Sequence, residues 1–298
     1  MTEPSVPRVS IVTTCKGRLH HLRQSLPSFL VQPDSEVIVV DYDCPDDTAG
    51  VCAREFPDAR VVKVENQPRF NWARARNLGA AAARGAWIAF FDADMVMSPD
   101  FVRNLGPLGR RGIFHRFFPI NMPTQSACGS CVVRREDYLA VDRYDEVMQG
   151  YGGEDQDLYF RLELAGVKAE KMDFAMLAEI IQHHDRERVR FGVHATVLRH
   201  QQANDVYYLV KHSLMRHVGI DGLPEAQRQT LYRLVCDVVE DASRSPESPI
   251  HFTVELPRDP IGMWTVGWSA KRHLVFDLKP NLEELKIRIG QEGVDDAK

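Results

Sequence analysis

The sequence predicts an α/β fold: a mostly parallel sheet flanked by helices, followed by a mainly helical C-terminal extension. Three observations predict it. Short β-branched or apolar runs (Val9–Thr13, Glu36–Val40 and Arg60–Val64) alternate with stretches of helical character. That rhythm implies parallel neighbours joined by right-handed crossovers. A further apolar run, Ala86–Phe91, ends in Asp92-Ala93-Asp94. Two carboxylates thus emerge at the C-terminal end of a buried strand, where open α/β sheets bind ligands.

The elements follow in order. A helix over Ser25–Val31 separates the first two strands, and the second strand runs into Asp41-Tyr42-Asp43. Asp47–Phe56 reads as a helix with an acidic start. Asn71–Arg84 is rich in Ala, Arg and Leu, strong helix formers, and Gly85 is expected to stop it. After Pro99 the alternation loosens. Gly112–Phe118 suits a strand carrying His115 and Arg116, Cys131–Val133 another, and Arg134–Val141 a helix. Tyr151–Glu154 is a glycine-rich turn entering a helix, Asp155–Ala165, that stops at Gly166, and Phe174–Ile181 leads into His183-His184-Asp185. Beyond about His200 the segments Asp205–His217 and Glu225–Asp241 are amphipathic helices. Ser243–Pro249 is a Ser/Pro-rich linker; Ile250–Leu256 and Met263–Phe276 are strands or irregular.

Composition narrows the function. The chain has 298 residues, enough for one large domain plus an extension, with 44% hydrophobic and 27% charged residues. A net charge of −5 argues against a general polyanion binder, so no nucleic-acid partner is expected. No apolar run reaches the roughly 20 residues that cross a bilayer, and Met1–Arg8 lacks the apolar core of a secretory signal. A cytoplasmic protein is expected, with any membrane contact peripheral. Lys211, His212, Arg216 and His217 hint at such a surface, but Asp221, Glu225 and Asp237 dilute it. Six cysteines in a chain this long do not suggest a disulfide framework. Cys128-Gly-Ser-Cys131 has metal or redox spacing, but only His183-His184 offers a second ligand pair, so buried thiols are the expectation.

Gly150-Tyr151-Gly152-Gly153-Glu154-Asp155-Gln156-Asp157 is the second chemical signal. Glycines let the backbone turn tightly and approach a ligand. Three acids then gather at a helix start, where the dipole favours negative charge. Capping explains the acids alone, but not the Gly-Gly pair or the flanking aromatic. A ring beside carboxylates suits a sugar: the ring stacks on its apolar face and the acids accept hydroxyl protons.

With these motifs the chain resembles GT-A-fold (Rossmann-like) glycosyltransferases of family 2, with a second half similar to β-1,4-galactosyltransferases and polypeptide N-acetylgalactosaminyltransferases. The similar stretches are V-S-I-V-T-T-C-K-G-R at Val9–Arg18, V-V-D at Val39–Asp41 and F-N-W-A-R-A-R-N-L-G at Phe70–Gly79. D-A-D, G-Y-G-G-E-D-Q-D and Ile181-Gln182-His183-His184 complete the set, in the family's order. The resemblance implies a nucleotide-sugar-binding half over residues 8–100, an acceptor-binding and catalytic half over 101–200, and an extension of unassigned role over 201–298.

The resemblance also implies roles. Thr13, Thr14 and Arg18 would lie beside the donor nucleotide, with Asp41 facing its base or ribose and Arg74 and Asn77 supporting nucleotide and diphosphate. Asp92 would face the ribose or the metal's waters, and Asp94 would bind the metal. His183, or its neighbour His184, would complete that site with Mn²⁺ or Mg²⁺. Asp155 would be the catalytic base, with Glu154, Tyr151 and Gly153 holding the acceptor. The implied reaction is metal-dependent inverting transfer of a hexose or N-acetylhexosamine from a UDP-sugar to a hydroxyl of a glycan or glycoconjugate. The alternatives are a non-catalytic sugar-nucleotide or glycan-binding module, a nucleotidyltransferase, and a retaining transferase.

Overall fold

The computed structural model describes residues 7–105, 111–118, 126–183, 187, 190–192, 197–243, 249–255 and 273–278. The chain divides into two compact units, Met1–Val197 and Leu198–Lys298.

The first unit is built on a seven-stranded sheet. Its parallel part comprises β1 (Val9–Cys15), β2 (Ser35–Tyr42), β3 (Arg60–Val64) and β4 (Trp87–Phe90). The remainder is β6 (Ile113–Arg116), β7 (Cys131–Arg134) and β8 (Lys168–Lys171), in the order β3-β2-β1-β4-β7-β6-β8. Of these pairings only β4–β7 and β6–β7 are antiparallel. β1, β2 and β4 are buried along nearly their whole length, which is why they read as continuous apolar runs rather than alternating ones.

The helices differ from the sequence expectation mainly at their ends. Helix α1 (Leu19–Leu30) begins six residues before Ser25, because Leu19, Leu22, Leu26 and Phe29 form one buried face. Helix α2 (Thr48–Glu55) follows β2. Helix α3 (Trp72–Ala82) starts where the Asn71 side chain accepts the Arg74 amide and ends at Ala82, ahead of the expected stop. Gly85 therefore does not end that helix. It brings the chain against β1, where a Cβ would stand 2.7 Å from the Ser10 nitrogen. Gly79 does the same for α3: an added methyl would run into Val12 and Val40. Gly79→Ala is expected to destabilise the fold by about 1–3 kcal/mol through overpacking, read as a lower urea midpoint with unchanged slope.

Past β4 lie β5 (Met95–Met97), α4 (Phe101–Asn104), α5 (Arg135–Ala140), α6 (Glu154–Leu164) and β9 (Leu177–Ile180). β5 pairs antiparallel with β9, and the Ile181 amide donates to the Asp94 carbonyl. This small second sheet carries the chain leading to His183 back over the end of β4. Neither β5 nor β8 was expected from the sequence.

The second unit holds α7 (Val197–Val218, which starts at the boundary), α8 (Glu225–Ser243) and the hairpin of β10 (Ile250–Glu255) with β11 (His273–Leu278). Tyr207 packs edge-on to Tyr232, whose hydroxyl donates to Asn204. Lys211 and His212 are buried, so they do not contribute to a basic surface; Arg216 and His217 are exposed. Most of the expected linker and residues 256–272 lie outside the described residues. Among the described residues, no helix is long and apolar enough to cross a membrane.

Candidate active site

The carboxyl ends of β1 and β4 open into a cleft. Its walls include Thr14, Arg18, Trp72, Asp92, Asp94, Tyr151 and His183. One wall is aromatic. Tyr42 meets Phe70 edge-on, Phe70 packs at 4.4 Å on Trp72, and Trp72 meets Tyr151 edge-on at 5.9 Å. Tyr151 thus stands on the same wall as residues from the first half of the domain.

The first strand–helix turn forms the floor. Gly17 adopts φ +69°, and the Phe191 ring occupies the space a side chain there would need. The Phe191 carbonyl accepts the Phe70 amide at 2.8 Å. Lys16 is buried and spends its ammonium on the carbonyls of Tyr42, Asp43 and Gln67, clamping β1 to the loop after β2.

Asp94 is the convergence point. His183 Nε2 lies 2.8 Å from Asp94 Oδ2, and Arg18 Nη1 reaches the same oxygen at 3.4 Å. Both Asp94 and the His183 ring are buried. Two ligands about 2.0–2.2 Å from one ion stand roughly 3 Å apart when adjacent, so this carboxylate–imidazole pair has the spacing and the mixed donors a divalent cation needs. His184 lies outside the described residues.

Arg76 was missed by the sequence reading and organises the other half of the site. It is 4% exposed, donates Nη2 to Asp92 Oδ1 at 2.9 Å, and donates Nη1 to Glu154 Oε1 at 2.9 Å. Burial opposes its charge, but Asp92, Tyr144, Glu154 and Asp155 outweigh that and raise its pKa. One guanidinium therefore ties the end of β4 to the start of α6.

Helix α6 begins at the glycine turn. Gly152 and Gly153 both sit at φ near +90°, which explains why this position carries Gly-Gly. Asp155 follows in the first turn, its Oδ1 accepting the Gln156 amide. Burial first, and then the Glu154 charge, push its carboxyl up to about 7, with Arg76 pulling the other way. Gly129 shows how close the two halves come. A Cβ there would lie 3.3 Å from Arg76 Nη2, 3.6 Å from Asp92 Oδ2 and 3.8 Å from Asp155 Oδ2. Asp92 and Asp155 thus face each other over one glycine. The second oxygen of Glu154 is buried with no hydrogen-bond partner among the described residues.

Other residues singled out in the sequence lie elsewhere or serve the frame. Asp41 gives both carboxylate oxygens to backbone amides of Cys44 and Ala49, fixing the β2–α2 turn. Asn77 is buried and saturated: it donates to the Tyr144 carbonyl and Glu146 and accepts from Tyr138 and the Tyr144 amide. Neither side chain is directed to the cleft. Arg74 is exposed, and Thr13 is buried, its hydroxyl without a hydrogen-bond partner among the described residues. Cys128 and Cys131 are free, buried thiols, each pushed up to about 11 chiefly by burial, and they join no group of three metal ligands among the described residues.

The profile of Glycosyl transferase family 2 matches residues 10–107, and that described as the N-terminal domain of galactosyltransferase matches residues 111–186. Over these stretches the chain is similar to family 2 glycosyltransferases and then to galactosyltransferases. The chain is similar to the succinoglycan biosynthesis protein ExoO of Rhizobium meliloti (strain 1021), 34% identical over 102 residues, which are 34% of this chain and 29% of that protein. It is also similar to β-1,4-galactosyltransferase 2 of Mus musculus, 26% identical over 136 residues, 43% of this chain and 37% of the other. The chain thus spans about a third of the length of these relatives. Among solved structures it matches the mannosyltransferase PcManGT of Pyrobaculum calidifontis in complex with GDP-Man and Mn²⁺ (TM-score 0.52, 15% identity, 81% of this chain and 76% of that one). It also matches S. aureus TarS 1–349 in complex with UDP-GlcNAc (TM-score 0.54, 14% identity, 79% and 73%). At these identities the likeness shows the fold: a GT-A-type α/β domain, with Asp92 and Asp94 at the open end of the parallel strands.

Proposed function

We propose that this domain is a metal-dependent inverting glycosyltransferase that moves a hexose or N-acetylhexosamine from a UDP-sugar to a hydroxyl of a glycan acceptor. The observation that carries the reading is that the acids of the two motifs meet: Asp92, which lines the cleft beside Asp94, and Asp155 both come up to Gly129. Asp94 and His183 stand at the end of β4, and Asp155 comes up from α6 beside Asp92, with Arg76 and Gly129 between them.

Asp94 and His183 would hold Mn²⁺, or Mg²⁺, which supplies neutralisation of the leaving diphosphate. Arg18 reaches the same point and adds a second positive group for the phosphates. Thr14 and the Phe70–Trp72–Tyr151 wall line the donor. On the opposite side Asp155, ionised, takes the acceptor hydroxyl proton as that oxygen bonds to the anomeric carbon and the bond to the diphosphate breaks. A carboxyl held near pH 7 suits a general base, because it is ionised in a useful fraction yet basic enough to take a proton. Attack from the side opposite the leaving group inverts the anomeric centre. Glu154, with one oxygen on Arg76 and the other without a protein partner, can accept an acceptor hydroxyl.

Thermal-shift measurements with UDP-, GDP- and dTDP-sugars, with and without Mn²⁺, test the donor class. A UDP-sugar with Mn²⁺ is expected to raise Tm most. Asp94→Ala is expected to abolish the Mn²⁺-dependent part of donor binding by calorimetry. Unchanged affinity in that variant would remove Asp94 from the metal site.

A further inference from the structure

His20, His21 and Glu187 form a second cluster of donor groups that the transfer reaction does not use. Their ligand atoms all lie within 4.8 Å of one another. The two histidines lie in the first turn of α1, just past Leu19, and Glu187 comes from the segment that follows His183. His20 Nε2 is 3.5 Å from Glu187 Oε2, and His21 Nε2 is 3.9 Å from the same oxygen. Both distances are too long for useful hydrogen bonds. They are close to the roughly 3.3–3.5 Å that separates ligands set tetrahedrally about 2.0–2.1 Å from one Zn²⁺.

The polar groups here are also unexplained by the protein itself. His21 is 4% exposed and turns its Nε2 toward Glu187. The buried Glu187 Oε2 has no hydrogen-bond partner among the described residues. Buried polar atoms in folded proteins are nearly always satisfied, and the Glu187 Oε2 orphan, faced by the Nε2 atoms of both histidines, calls for a bound ion or water. Two imidazoles and one carboxylate are a donor set for Zn²⁺-type cations, whereas Ca²⁺ and Mg²⁺ favour all-oxygen shells. His20 is exposed, which leaves a route for entry and a fourth position for water.

We propose that His20, His21 and Glu187 bind a second divalent cation of the Zn²⁺ class, distinct from the one assigned to Asp94 and His183. Glu187 also lines the donor cleft, and the His21 ring lies 5.3 Å from that of His183. A cation there ties the segment bearing Glu187 to the first turn of α1 at the edge of the cleft.

The test is Zn²⁺ binding to the chelator-stripped full chain, by calorimetry and metal analysis, in a background where Asp94→Ala and His183→Ala remove the other site. One Zn²⁺ per chain is expected to remain. Adding His20→Ala or Glu187→Gln is expected to weaken it at least about tenfold, as loss of a ligand or its supporting partner does. Co²⁺ in the same site is expected to show the intense visible bands of a tetrahedral complex, lost in both variants. Should the double background fold poorly by circular dichroism, the same two substitutions in the unaltered chain are expected to lower the bound Zn²⁺ by one equivalent. Absence of Zn²⁺ binding in a folded double background overturns the proposal, as does full affinity in either His20→Ala or Glu187→Gln. Because the readout is metal content and spectrum, it stands or falls apart from the transferase reading.

Discussion

Asp155→Asn is expected to lower turnover at least about a hundredfold while leaving nucleotide-sugar affinity within a factor of a few. The amide keeps the shape of the side chain and can still accept the Gln156 amide, so α6 should start unchanged. What it loses is the ability to take a proton. The pH profile separates this from a general loss of structure. Asp155 is held up to about 7 by burial and by Glu154, so in the unaltered enzyme kcat/KM is expected to rise as pH climbs through about 7, where the carboxyl ionises. In the Asn variant that limb should vanish from whatever activity is left. A variant with near-normal turnover would remove Asp155 from the role of base.

Arg76→Gln should have the largest effect on stability and a second effect on the pH profile. The guanidinium is buried between Asp92 and Glu154, and Asp155 lies within its electrostatic reach. Removing one partner of a buried ion pair leaves uncompensated charge and costs about 3–5 kcal/mol. In a domain of this size that corresponds to a fall in Tm of roughly 10 °C. The sign of the kinetic effect follows from the same charge. Arg76 favours the ionised form of Asp155, so its loss should raise that pKa further and move the rising limb of kcat/KM to higher pH. Differential scanning fluorimetry and a pH–rate profile on the same sample would read both. An unchanged Tm would mean that Arg76 does not brace the two halves.

Much of this site is legible in the sequence because it sits where regular elements begin or end. The apolar run before Asp92 can only be a buried strand, which puts Asp94 at its open end. The Gly-Gly pair before Glu154 marks a helix start with positive backbone angles. Arg76 shows where that reading stopped. In Ala-Arg-Ala-Arg both arginines look alike, and composition does not tell which one turns inward. The spacing does: Ala73, Arg76 and Ala80 share one buried stripe of α3, whereas Arg74 falls outside it. Asp41 and Asn77 illustrate a related point: both are engaged by the protein's own backbone. A residue in the right stretch of a motif can serve the backbone that shapes the site instead of facing the ligand, and only its hydrogen bonds reveal which. Strands β5 and β8 were missed because they are very short and are made by partners distant in sequence; Lys168–Lys171 carries no apolar pattern of its own.

The most direct measurement is proton NMR of a UDP-sugar turned over by the chain with Mn²⁺ and a glycan acceptor, compared with Asp155→Asn and Asp94→Ala. The account predicts product whose anomeric configuration is inverted relative to the donor, formed only with the metal and reduced at least about a hundredfold in either variant. Product of retained configuration, or a donor bound with Mn²⁺ but left intact alongside every acceptor class tried, would contradict it.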